Sequence, residues 1–244
     1  MPEGPTLVLL KEALSPFKGK KVLEIGGNAK IEQADLLNKS IRDFKTFGKH
    51  FLICFSSFTV RIHFLMFGSY SIDQQTKADR AVRLKMVFRN GTVYFYTCSI
   101  KIIGKNLDDI YDWSADVMNP AWDGRKAKQK VKQFPEDLIC DVLLDQNIFA
   151  GVGNIIKNEV LFQTKVHPES RIAAIPSQKL PAIVSAASNY SFDFLKWKRV
   201  YELKKHFLVY GKKTCPRCGR PLVKDYPGMR KRRSFYCNNC QKKY

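Results

Sequence analysis

The sequence predicts an α+β chain: an N-terminal antiparallel β-sandwich begun by a helix, a helical C-terminal domain, and a small cysteine-bound module at the end. Three observations predict it. From Ile41 to Cys98 apolar and polar residues mostly alternate, which is the period of half-buried strands. From Pro135 to about Tyr210 the apolar spacing turns helical. Four cysteines then close the chain as two C-x-x-C pairs, Cys215/Cys218 and Cys237/Cys240, with 18 residues between them.

Pro5 suits a first helical turn, and Leu7, Leu10 and Leu14 recur on one face, so a short helix opens the chain. Gly19 and Gly26-Gly27-Asn28 punctuate the stretch after it. Val60, Ile62, Phe64 and Met66 alternate with Arg61, His63 and Leu65 as one strand. Val82 to Phe88 and Val93 to Cys98 flank Asn90-Gly91, a hairpin signal. The first domain is therefore expected over 1–115. A basic linker is expected over 116–133, carrying the run from Gly124 to Gln133, whose alternative reading is an exposed helix. The helical domain is expected over 134–210 and the cysteine module over 211–244. Within the helical domain Gly151-Val152-Gly153 interrupts the pattern, and Asn154 to Phe162 resumes it through Ile155, Ile156, Val160 and Leu161. Pro176-Ser177 reads as a helix start.

Two C-x-x-C pairs offer four thiolates to one ion, the donor set of structural zinc. Disulfides are the alternative, but the other cysteines, Cys54, Cys98 and Cys140, are odd in number and sit in apolar stretches as buried reduced thiols. With cysteine at all four positions no site stays open for water, so Zn2+ here holds a fold and does no chemistry. What it holds is cationic: Gly211 to Tyr244 carries eleven Lys or Arg against the single acid Asp225, about half of the chain's net charge of +20. Such a balance points first to nucleic acid. No apolar run approaches the ~20 residues of a membrane span, and the opening MPEGPTLVLLKEAL is too soon interrupted by charge for a signal peptide. A soluble intracellular monomer is expected, cytoplasmic in a bacterium or nuclear in a eukaryote.

Two places could carry chemistry, the alternatives being an ordinary helix–turn–helix connection at the first and an ordinary chain start at the second. A Gly-x-Gly turn before a helix presents backbone N–H groups to phosphate, and Asn154 directly after it adds a side-chain amide. At the other end, removal of Met1 exposes the secondary amine of Pro2 with Glu3 beside it. An unprotonated amine attacks carbonyl-like carbon to give a Schiff base, and Glu3 is placed to move protons.

Met1-Pro-Glu-Gly-Pro5, the Gly48-Lys49 turn, Leu143-Leu-Asp-Gln146 with Gly151-Val-Gly-Asn-Ile155, and the cysteine module with Arg232-Arg-Ser-Phe-Tyr-Cys237 occur in that order. Together they resemble the formamidopyrimidine-DNA glycosylase/endonuclease VIII family over the whole chain, and Gly4-Pro5 resembles its endonuclease VIII branch. The resemblance implies a helix–two-turn–helix motif in the helical domain and a terminal zinc finger. It implies base-excision repair of damaged DNA by a bifunctional glycosylase and abasic-site lyase, acting by β- and δ-elimination on oxidised pyrimidines and hydantoin-type lesions. Pro2 would be the nucleophile and Glu3 the proton shuttle. Lys49 and Arg232 would grip phosphates beside the lesion and assist elimination, with Arg230 a rival for Arg232. Asn154 would bind phosphate, and Met66 would fill the gap left by the flipped nucleotide. His63 is expected to be structural. The resemblance leaves a formamidopyrimidine/8-oxoguanine glycosylase, and a non-catalytic zinc-dependent DNA-binding protein, as alternatives.

One stretch departs from the family. Where the formamidopyrimidine branch carries an Arg and a Phe that support the base opposite the lesion, this chain reads Ser99-Ile-Lys-Ile-Ile-Gly104, leaving Lys101 and Ile103. Weak opposite-base preference and activity on single strands, as well as on duplex, are expected from that loss.

Overall fold

Pro5 falls in the first turn of helix α1 (Gly4–Ala13), where its fixed φ costs nothing and its missing N–H would have no helical partner. Leu7 and Leu10 of α1, with Leu14 just beyond it, are buried on one face. A computed structural model describes residues 2–244. It divides into two compact units, residues 1–111 and 112–244.

In the first unit two four-stranded antiparallel sheets share one core. One sheet joins β1 (Glu24–Gly26), β6 (Val82–Phe88), β7 (Gly91–Tyr96) and β5 (Ser69–Ile72) in that spatial order. The other joins β2 (Asp43–Phe47), β3 (His50–Cys54), β4 (Thr59–His63) and β8 (Ser99–Ile103). Along β6 the alternation is complete: Val82, Leu84, Met86 and Phe88 are buried and the residues between them are not. Phe44, Phe51, Ile53, Val60 and Ile62 from one sheet meet Leu84, Met86, Val93 and Phe95 from the other, and α1 adds its leucines to the same cluster. This is the sandwich that the period-two pattern predicts.

The strand expected to run through Met66 does not do so. β4 stops at His63, Phe64 is buried at the start of a turn, and Leu65 adopts a left-handed φ of +53°. That conformation costs an L-residue roughly 1–2 kcal/mol and takes Leu65, Met66 and Phe67 off the sheet. The turn closes with Gly68 N–H donating to the Phe64 carbonyl at 2.8 Å. A Cβ on Gly68 would run into that carbonyl, so only glycine fits.

The second unit holds α2 (Gly124–Val131), the single-turn α3 (Ile139–Val142), α4 (Asn154–Gln163), α5 (Lys179–Arg199) and a hairpin of β9 (Val223–Asp225) and β10 (Ser234–Tyr236). The run 116–133 differs from a linker. Asp123 caps α2 by accepting from Arg125 and Lys126 N–H, and Ala127 and Val131 bury one face of α2 in the core that α5 shares. Only two apolar residues, one turn apart, carry that packing, so the basic residues dominate the sequence signal. Among the described residues no helix is long and apolar enough to cross a membrane.

Candidate functional site

In the first unit the N-terminal residues are fixed by α1. Glu3 is the residue before the helix, with extended backbone, and is only 1% exposed. Its carbonyl accepts from Thr6 N–H at 2.9 Å. Pro2 is half-buried and lines a pocket of about 190 Å³ with Thr6, Leu7, Leu10, Phe64 and Tyr70. Met1, whose removal the Pro2 chemistry requires, lies outside the described residues. A buried acidic residue thus stands next to the prospective terminal amine, and the pocket that Pro2 lines has mostly apolar walls.

Lys49 occupies the two-residue turn between β2 and β3, where Phe47 pairs with His50. Gly48 takes a φ of +53° at the first turn position, the position a tight hairpin gives to glycine. The turn therefore fixes the backbone that carries Lys49. Next to it, the His50 and His63 rings meet edge to face with centroids 5.5 Å apart. His50 Nδ1 and the Tyr111 hydroxyl lie 3.2 Å apart, and Arg61 also hydrogen-bonds Tyr111. Burial first, then the charges of Arg61 and His63, push His50 down to about 4. Burial, then Lys49 and Arg61, push His63 below its ordinary 6.5. Both rings are neutral at pH 7. His63 Nδ1 accepts from Leu65 N–H at 3.2 Å, which places its proton on Nε2.

Beyond that bond Leu65, Met66 and Phe67 are 50%, 54% and 74% exposed. Three consecutive apolar side chains in solvent form a finger, a kind of exposure that marks an interaction site. Met66 is in it; Leu65 and Phe67 give no separate signal in the sequence, because the strand pattern hides the turn.

In the second unit Asn154 begins α4 and is buried. Its Nδ2 donates to the Arg233 carbonyl at 2.8 Å. The same carbonyl takes Lys157 Nζ and Asn158 Nδ2, each at 3.2 Å. Lys157 is fully buried and also donates to Ser234 Oγ at 2.8 Å, while Asn158 Oδ1 accepts from Phe235 N–H at 2.6 Å. Three side chains of one helix face therefore hold the start of β10, and with it Arg232, which is half-buried. Its rival Arg230 is engaged elsewhere: its guanidinium lies 3.6 Å from Asp145 Oδ2, and its backbone N–H donates to Asp141. Gln146 braces the turn before α4, donating to the carbonyls of Leu144 and Val152 and accepting from Gly151 N–H. Glu159, further along α4, accepts from the N–H groups of Leu208, Val209 and Tyr210. Glu159 leaves no local sequence signal, since its partners lie 49 to 51 residues along the chain.

The thiols of Cys215, Cys218, Cys237 and Cys240 lie within 4.8 Å of one another. Cys215 and Cys240 Sγ are 3.8 Å apart and Cys218 and Cys237 Sγ 3.5 Å. A tetrahedron with Zn–S bonds of about 2.3 Å has edges of about 3.8 Å, so the donor set fits one such ion. Gly219 N–H donates to the Cys215 carbonyl, and Gln241 bridges Cys237 N–H to the Val166 carbonyl. The backbone around both cysteine pairs is thus fixed by the protein itself. Cys98 and Cys140 are buried, and desolvation pushes each thiol up to about 12. They are inert packing residues.

The description "formamidopyrimidine-DNA glycosylase N-terminal domain" matches residues 1–101, and "formamidopyrimidine-DNA glycosylase H2TH domain" matches residues 116–190. The chain belongs to the formamidopyrimidine-DNA glycosylase/endonuclease VIII family. Endonuclease 8-like 3 of Bos taurus is 29% identical over 207 residues, covering 81% of this chain and 34% of that protein. The chain thus spans about a third of the length of that relative. The DNA-(apurinic or apyrimidinic site) lyase Nei2 of Mycolicibacterium smegmatis is 24% identical over 252 residues and covers 99% of both chains. The fold is that of the Lactococcus lactis formamidopyrimidine DNA glycosylase solved with DNA containing an AP site, with a TM-score of 0.86, 21% identity and coverage of 99% of this chain and 100% of the other.

Proposed function

We propose that the chain is a base-excision DNA glycosylase with abasic-site lyase activity, acting on oxidised pyrimidines and hydantoin-type lesions. The observation that carries this reading is the acidic residue Glu3, 1% exposed and next to a half-buried Pro2. A base inside a duplex shields its sugar carbon, so the damaged nucleotide is first flipped out, at a cost of a few kcal/mol. The Pro2 amine, freed of Met1, then attacks C1′. The C1′–N bond breaks, and the amine proton goes to the departing base. The C1′–O4′ bond opens as an iminium forms between Pro2 and C1′, and Glu3 supplies the proton that O4′ takes. Glu3, now a carboxylate, takes the C2′ proton as the C3′–O bond breaks and one strand end leaves as its phosphate, and loss of the C4′ proton to water breaks the C5′–O bond and releases the other strand end as its phosphate. The strand is cut on both sides of the sugar.

The remaining residues bind and hold. Lys49 on its turn and Arg232 beside β10 grip phosphates flanking the lesion. An amide carries two N–H groups; Asn154 spends one on Arg233 and gives the other to phosphate. Met66, with Leu65 and Phe67, fills the gap in the duplex, as inserted apolar side chains do. Four cysteine thiolates hold zinc, which organises the hairpin and takes no part in the reaction.

Oligonucleotides each carrying one lesion, incubated with the processed protein, test this reading. Release of oxidised pyrimidines with both elimination products is expected. Binding without release would make the chain a damaged-DNA binder.

A further inference from the structure

We propose that His63 is the positioning residue of the finger, and that its neutral Nδ1 holds Leu65–Phe67 in the shape that enters the duplex. The inference rests on the gap-filling role proposed for the finger and assigns what sets it. Three observations carry it. The Leu65 N–H donates to His63 Nδ1 at 3.2 Å. Leu65 sits in the left-handed region at +53°, a conformation that needs an external hold. The finger's own side chains supply none, being half-exposed or more.

His63 is itself gripped from behind by the His50 ring, 5.5 Å away, and His50 comes directly after Lys49 in the β2–β3 turn. The turn that carries the phosphate-binding lysine and the finger that fills the gap are therefore joined through two rings in edge-to-face contact. Protonation would turn Nδ1 from acceptor to donor and set it against the Leu65 N–H. The groups facing His63 all oppose that proton or are uncharged. Arg61 lies on its own strand, Lys49 on the turn and His50 on β3. Tyr111 reaches His50 from the segment after β8, and Ser99 is the β8 partner. The device thus works with His63 neutral and fails in acid.

Three variants of the full chain separate this from other roles. Asn in His63→Asn offers Oδ1 close to the Nδ1 position and does not titrate. Gln in His63→Gln reaches toward the Nε2 position instead, and His63→Ala removes both. Hydrogen exchange of the Leu65 amide reads the bond without DNA. A 2-aminopurine placed opposite a tetrahydrofuran abasic analogue reads entry of the finger. Ala and Gln are expected to lose about tenfold in Leu65 protection and to lose the fluorescence change. Asn is expected to keep both, and to keep them as the pH falls below 6.5, where the wild type loses them once His63 takes its proton. Unchanged Leu65 protection in His63→Ala, or rescue by Gln and not Asn, would overturn the proposal. If protection depends on His63 while the wild type gives no fluorescence change, the link stands and the gap-filling role of the finger falls.

Discussion

Asn154 and Arg233 are joined by one hydrogen bond, Nδ2 to carbonyl at 2.8 Å, that ties the first residue of α4 to the residue after Arg232. The carbonyl also takes Lys157 and Asn158. Two phosphate-binding candidates far apart in the chain are in this way set by one backbone atom.

Lys157→Met tests that junction. Methionine matches the length of the buried stem and removes the bonds donated to the Arg233 carbonyl and Ser234 Oγ. Thermal stability is expected to fall by on the order of 1–3 kcal/mol, with the circular dichroism of the native fold retained. Affinity for abasic-analogue DNA, read by fluorescence anisotropy, is expected to fall about tenfold, since 1.4 kcal/mol of lost positioning is a decade. Native affinity in a stable Lys157→Met would separate the hairpin from binding.

Chelation tests the cysteine cluster. One equivalent of zinc is expected to leave with a strong chelator, and Cys237→Ala is expected to bind none. Either change should loosen the β9–β10 hairpin and weaken DNA binding, because metal affinity is folding free energy in such modules. Metal analysis and anisotropy on the same samples measure both; full affinity in the metal-free protein would contradict the structural role.

His50 makes stability sensitive to acid. Its folded pKa is lowered from 6.5 to about 4 by burial, Arg61 and His63. The folded state therefore binds fewer protons than the unfolded one. The contribution is fully present above 6.5 and is lost as pH falls toward about 4. His50→Gln does not titrate, and is expected to lose less stability across that window, by on the order of 2–3 kcal/mol. Urea midpoints against pH give the comparison, and parallel curves would refute the assignment.

The resemblance implies that Lys101 and Ile103 replace the Arg and Phe with which the related branch supports the opposite base. Excision rates are expected to vary less than about tenfold among the four opposite bases, and to persist on single strands, because one bidentate contact is worth about 1–3 kcal/mol of discrimination. Rates on a matched oligonucleotide set measure this. A strong preference for one opposite base over single strands would show that another segment does the reading.

The sequence makes some of this legible and hides the rest for physical reasons. The cysteine module is legible because ligand type and spacing are local. So is β6, whose in–out alternation is complete from Val82 to Phe88. The finger is not, since Met66 continues the alternation of β4 and only the left-handed Leu65 and the contact of Gly68 with the Phe64 carbonyl lift it off the sheet. Helix α2 is masked by its charge, with Ala127 and Val131 alone turned inward. Lys157 gives no sign of burial because its acceptors, Arg233 and Ser234, lie 76 and 77 residues away.

The central claim is that the Pro2 amine bonds to the sugar. Processed protein is incubated with an abasic-site oligonucleotide and borohydride, and the cross-linked peptide is sequenced by mass spectrometry. The adduct is expected on the Pro2 nitrogen, and Pro2→Gly, which still binds the DNA, is expected to excise far less base. An adduct on a lysine, or none from protein whose Met1 has been removed, would contradict the account.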